Sequence, residues 1–276
     1  FADAVPFLCI TGVVVVSINY RLGALGWMVS VDDDLWGNYG LQDQRLALGW
    51  VHDNVRSFGG DPARVTLFGE SAGAMSIGQH LHMDGAGTLF HQVIMQSNPL
   101  GYRFRSVTVA NFLGQAVKRG LDCVDLACLQ EEPAADILRV QESLMGVPRS
   151  VGDFFSWGPV MTDSNYQRHV AKHRKRFTSA TGGFNYTAPF MTVVQPLEAM
   201  ASRAAAATAA SLSPYQLFPS ATDMGATGAQ EGRVRGLGPG VGGEEEAQPV
   251  PVLLGVNADE GLMFVHGAYP VAMAKV

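Results

Sequence analysis

Five residues, Gly69-Glu70-Ser71-Ala72-Gly73, set a single serine between small neighbours, a pattern suited to nucleophilic catalysis. A serine hydroxyl attacks a carbonyl only when an imidazole takes its proton and a carboxylate orients that imidazole. The spacing supports such a role through the backbone. The apolar, β-branched run Val65 to Phe68 reads as a buried strand that stops at Gly69, and Ala72 to Leu81 continues as a helix. A turn this tight strains the serine and thrusts it out of the sheet, and side chains larger than hydrogen at Gly69 or Gly73 are expected to collide with neighbouring backbone. The Ala72 N–H then stands at a helix start, where it can hold a developing oxyanion. Glu70 reads as a structural or electrostatic neighbour of Ser71 and not as its base.

The elements around this turn alternate. Val13 to Ile18 is a continuous β-branched run, the composition of a parallel strand covered on both faces. From Gly40 to Ser57, Leu41, Leu48, Val51 and Val55 recur near helical spacing, with Asp43, Arg45 and Asp53 mostly elsewhere, and Gly59-Gly60 stops the helix. Gln92 to Gln96 supplies a further strand. Strand, helix, strand, turn, helix is the order of a doubly wound α/β sheet. Val107 to Arg119 and Ala134 to Met145 read as helices, and Val250 to Val256 as a strand that Pro251 sets near an edge or at a strand start. Residues 203–249, rich in Ala, Gly and acidic residues, are expected to form a disordered surface insertion. Asp32-Asp33-Asp34 reads as a solvated loop and not a metal cluster, and the basic run from Gln167 to Arg176 as a solvated face.

Composition narrows the classes. With 276 residues, 47% of them apolar, the chain can bury a substantial core, and a net charge of −6 argues against a nucleic-acid partner. No apolar run reaches the ~18 to 20 residues of a membrane span. The opening at Phe1 leads us to expect a piece of a larger protein. Three cysteines, Cys9, Cys123 and Cys128, rule out a disulfide-dense scaffold and a CxxC metal site.

The whole stretch Phe58 to Gly73, an aromatic-Gly-Gly turn followed by a short strand and Gly-Glu-Ser-Ala-Gly, resembles the signature of the type-B carboxylesterase and cholinesterase family. The resemblance extends through Val13 to Gly26, Gly37 to Leu48 and Phe90 to Ser97, and returns at Val252 to Gly261. It implies an α/β-hydrolase fold: a central, mostly parallel sheet with flanking helices and a partial helical cap, in one incomplete domain over 1–276. It implies a serine hydrolase acting on small-molecule carboxylic esters through an acyl-enzyme, with no cofactor or metal. In such folds nucleophile, acid and base follow in that order. The segment Gly255 to Gly261 resembles the one that bears the family's triad glutamate, which assigns the acid to Glu260 and not Asp259. His52, His80, His82 and His91 precede the acid and His266 lies only six residues beyond it, whereas the family's histidine lies much further along in a later loop, so the resemblance implies a base beyond residue 276. The Gly-rich loop that gives the family's other oxyanion donors would precede Val13, so the 276 residues alone are expected to be inactive.

Cys123 and Cys128 resemble a short disulfide loop of the family, whose interval is usually longer; two half-buried thiols are the other reading. If bonded, they imply an oxidising, secretory compartment. Tyr102, Phe104, Phe154, Phe155 and Trp157 could wall a gorge leading to the serine, although aromatics at such positions are more often core. The resembled fold also serves non-catalytic adhesion or recognition, which is the alternative reading of the chain.

Overall fold

The computed structural model describes residues 12–83, 87–99, 102, 104–144, 156–161, 230–235 and 249–255. A short antiparallel ribbon pairs β1 (Val29–Ser30) with β2 (Leu35–Trp36). The main sheet contains β3 (Thr66–Glu70), β4 (Gln92–Gln96), β5 (Gln230–Arg235) and β6 (Pro249–Gly255), in the spatial order β3-β4-β6-β5. β4 runs parallel to both β3 and β6, and only β5 is antiparallel to its neighbour. The mostly parallel sheet expected from the alternation of elements is therefore observed.

Helices α2 (Tyr39–Asn54) and α3 (Ala72–His80) pack against the sheet, whereas α1 (Gly23–Trp27) shares a second apolar cluster with α4 (Val107–Gly120), α5 (Leu126–Glu131) and α6 (Ala134–Leu144). α2 buries Leu41, Leu48 and Val51 as their spacing predicts, and after a 3-10 turn the chain leaves through Gly59 at φ +82°. Leu48, Ala74, Ile77, Phe90, Val93 and Met95 pack into the core between α2, α3 and the sheet, with Leu67 against them. Alternation along β3 puts Phe68 on the other face, 57% exposed.

Four features depart from the sequence reading. Val13 to Ile18 forms no strand, and Val13, Val14, Val16 and Ile18 are exposed. A strand exists only through hydrogen bonds to a neighbour, and none of the described strands lies beside this run. Within the expected insertion 203–249, residues 230–235 form β5, held from Gln230 against Leu254 to Arg235 against Pro249. Backbone pairing, which needs no apolar side chains, supplies the order there. Pro251 lies in an internal strand, yet it precedes the stretch Val252 to Gly255 that pairs with β4, so its missing N–H interrupts no bond on that side.

Asp33 is the fourth departure: far from being solvated, its carboxylate is buried against the Lys118 ammonium and accepts from the Ser30 hydroxyl. Burial alone would raise this carboxyl; the Lys118 and Ser30 hydrogen bonds outweigh it and hold the group below its usual range. In agreement with the commoner role of such aromatics, Phe104 is 4% exposed and packs with Trp27, Leu41 and Met75, with Tyr102 and Trp157 alongside, so these three are core in the described region. Phe154 and Phe155 lie outside it, as does the basic run.

Candidate active site

The nucleophile turn is built from three backbone restraints. β3 ends at Glu70 and α3 begins at Ala72, leaving Ser71 alone between them at φ 51°, ψ −111°. Few L-residues adopt such a conformation, and one persists only where its surroundings over-determine it. Here the Ser71 N–H donates to the Gln96 carbonyl at the end of β4 (2.9 Å), and the Ser71 carbonyl accepts from the Met75 N–H (2.9 Å). Gly69 completes the restraint: a Cβ there would come within 2.8 Å of the Gly73 carbonyl carbon. Gly73 itself differs from expectation, since a Cβ on it would meet no described atom within 4 Å. The collision is one-sided because the two glycines approach backbone to backbone, and only the Gly69 Cβ would point into the gap.

Ser71 stands at the N-cap of α3, but its hydroxyl makes no capping hydrogen bond. The side chain is half-buried. The Ala72 N–H beside it belongs to the first turn, whose donors have no acceptor within the helix. Glu70 is exposed on the neighbouring position. A carbonyl carbon brought to the Ser71 Oγ could thus turn its oxygen toward a helix start, where the macrodipole favours negative charge.

Three of the four described histidines are engaged elsewhere. His80 sits nine residues along α3, about 13 Å from Ser71 at the helical rise. It is 2% exposed, with Nε2 2.9 Å from the Gln44 Oε1. Gln44 in turn donates from Nε2 to the Ser76 hydroxyl (3.2 Å), and Ser76 donates to the Ala72 carbonyl (3.0 Å). With Gln44 Oε1 as acceptor, His80 carries its proton on Nε2, and Nδ1 is buried without a partner. Burial first, and the Arg45 charge second, push His80 down to about 3, so its ring is neutral at ordinary pH. His82 Nδ1 lies 2.7 Å from the Gly78 carbonyl, and His52 pairs with Asp53. Burial also lowers His91 from its ordinary value. Glu260 and His266 lie outside the described residues.

The sequence reading treated His80 only as a misplaced base and overlooked Gln44 and Ser76. A signal was present: Gly40, Gln44 and Leu48 recur every four residues on the buried face of α2, and Ser76 and His80 share the same interval on α3. Farther away, Cys123 and Cys128 form a disulfide with Cα atoms 5.5 Å apart. Among the described residues no helix is long and apolar enough to cross a membrane.

The model of the carboxylesterase family matches residues 3–213. The chain is 43% identical to an acetylcholinesterase of Gallus gallus over 150 residues, covering 51% of this chain and 19% of that protein. It is 55% identical to a probable N-octanoylanthranilate hydrolase of Rhodococcus erythropolis over 100 residues, 36% of this chain and 22% of the relative. Among solved structures, the carboxylesterase EST55 of Geobacillus stearothermophilus superposes with a TM-score of 0.51 at 33% identity, over 63% of this chain and 36% of that one. The chain thus spans about a fifth of the length of these two curated relatives. Its fold is that of the α/β-hydrolase carboxylesterases, and the chain belongs to the carboxylesterase family.

Proposed function

We propose that this chain carries the nucleophile of a serine carboxylic ester hydrolase. The backbone at Ser71 supports the reading: a positive-φ serine between a parallel strand and a helix start, with its hydroxyl unused in capping. Ser71 Oγ attacks the acyl carbon of a small-molecule carboxylic ester while an imidazole removes its proton. The Ala72 N–H receives the oxyanion, the alcohol leaves with that proton, and water releases the acid from the acyl-enzyme. Glu260, five residues beyond the C-terminal end of β6, orients the imidazole. The base and the remaining oxyanion donors come from outside these 276 residues, which by themselves turn over no ester. Residues 1–276 are part of one hydrolase domain, and 203–249 is an insertion whose 230–235 stretch joins the sheet.

The test is steady-state hydrolysis of p-nitrophenyl acetate by the protein expressed to the boundaries of its gene. Ser71→Ala and Glu260→Gln are each expected to lower kcat at least about a thousandfold. Full activity in Ser71→Ala would remove this serine from the mechanism, and full activity in Glu260→Gln would remove that acid. Folded wild-type protein with no hydrolysis would favour an adhesion or recognition role.

A further inference from the structure

Ser76 and His80 are one helical turn apart on α3, both buried, and both face the same side chain on α2. The Gln44 amide spans them, accepting from His80 at 2.9 Å and donating to Ser76 at 3.2 Å. Ser76 passes the restraint on, because its hydroxyl donates to the Ala72 carbonyl at 3.0 Å. Tyr20 reaches the same amide with its hydroxyl. An amide wholly used in this way has one orientation, and so does the hydroxyl it fixes.

We propose that Gln44 is a positioning residue for the Ser71 reaction, clamping Ser76 and His80 so that the Ala72 peptide and the strained turn before it hold their aim. This rests on the reading of Ser71 as nucleophile. The turn needs such a clamp. Ser71 is held at φ 51° by bonds to its own N–H and carbonyl, but the residue after it carries the oxyanion donor and, among the described residues, is reached by the side chain of Ser76. Without Gln44, Ser76 can rotate away and the first turn of α3 can relax toward unstrained angles. That relaxation turns the Ala72 N–H from the oxyanion and moves Oγ. Both losses fall on the transition state and leave ground-state binding of the ester intact.

The experiment uses the protein expressed to its gene boundaries, with Gln44→Met, Ser76→Ala and the double variant. Gln44→Met keeps the volume and removes the hydrogen bonds; Ser76→Ala favours the helix and serves if the first variant fails to fold. The rate of labelling of Ser71 by a fluorophosphonate is measured per folded molecule, together with kcat and KM for p-nitrophenyl acetate per titrated site. Each single variant is expected to lose about tenfold in labelling rate and kcat with KM little changed, and the double variant to lose no more than either single. A purely structural role would lower the melting temperature and leave the rate per titrated site alone. Wild-type rates in Gln44→Met or Ser76→Ala, or losses that multiply in the double variant, overturn the clamp while the wild-type label keeps Ser71 as nucleophile. A folded wild-type protein that does not label overturns both.

Discussion

Gly69 and Gly73 frame the same serine but answer to different constraints. A methyl on Gly69 would press on the Gly73 carbonyl carbon at 2.8 Å and the Ala74 nitrogen at 3.1 Å, backbone atoms that cannot swing aside. Gly69→Ala is therefore expected to lower stability by about 1–3 kcal/mol in urea unfolding, while Gly73→Ala, on the open side of a helix, is neutral or slightly stabilising. Equal losses from both would contradict this geometry. His80 gives the residue scale its pH dependence. Its folded value is about 3 because burial excludes the charged ring, whereas in the unfolded chain it protonates near 6.5. The unfolded state then binds the extra proton between those values, so the contribution is complete above 6.5 and is lost on acidification toward 3. Between pH 6.5 and 5, wild type should lose about 2 kcal/mol more than His80→Gln. Parallel stability curves for the two proteins would show that His80 is not held neutral.

At the scale of elements, two distant segments are joined by a buried charge pair. Asp33, in the turn between β1 and β2, meets Lys118 on α4, with side-chain exposures of 7% and 6%. Removing one partner strands the other charge. Lys118→Met should lower stability by about 3–5 kcal/mol, and adding Asp33→Asn should restore part of that loss, measured by thermal unfolding at pH 7. A melting temperature unchanged in Lys118→Met would place the pair in solvent. The other link is the Cys123–Cys128 disulfide, which joins the turn after α4 to α5. Because its loop is short, reduction or Cys128→Ser should cost only about 2 kcal/mol, and no change in the unfolding midpoint on reduction would mean that the sulfurs are not bonded in solution.

What sequence reveals about the whole molecule tracks the distance over which each feature is decided. The turn at Ser71, α2 with its glycine stop and the parallel β3 and β4 depend on near neighbours, and their residues announced them. The Asp33–Lys118 pair is set 85 residues apart and the His80–Gln44 bond 36 apart, so neither an acidic triplet nor a helix histidine discloses its partner. β5 is invisible to composition for a similar reason: its order comes from pairing with β6. Val13 to Ile18 shows the converse, a strand-like run that forms no ladder with any described strand.

The central claim is that this family member's fold presents Ser71 as an activated nucleophile. It is tested most directly by treating the protein, expressed to its gene boundaries, with a fluorophosphonate and locating the adduct by peptide mass spectrometry. A single adduct on Ser71, absent from Ser71→Ala and from the 276 residues alone, is the expected result. A folded protein that takes no label, or takes it on another residue, would contradict the account.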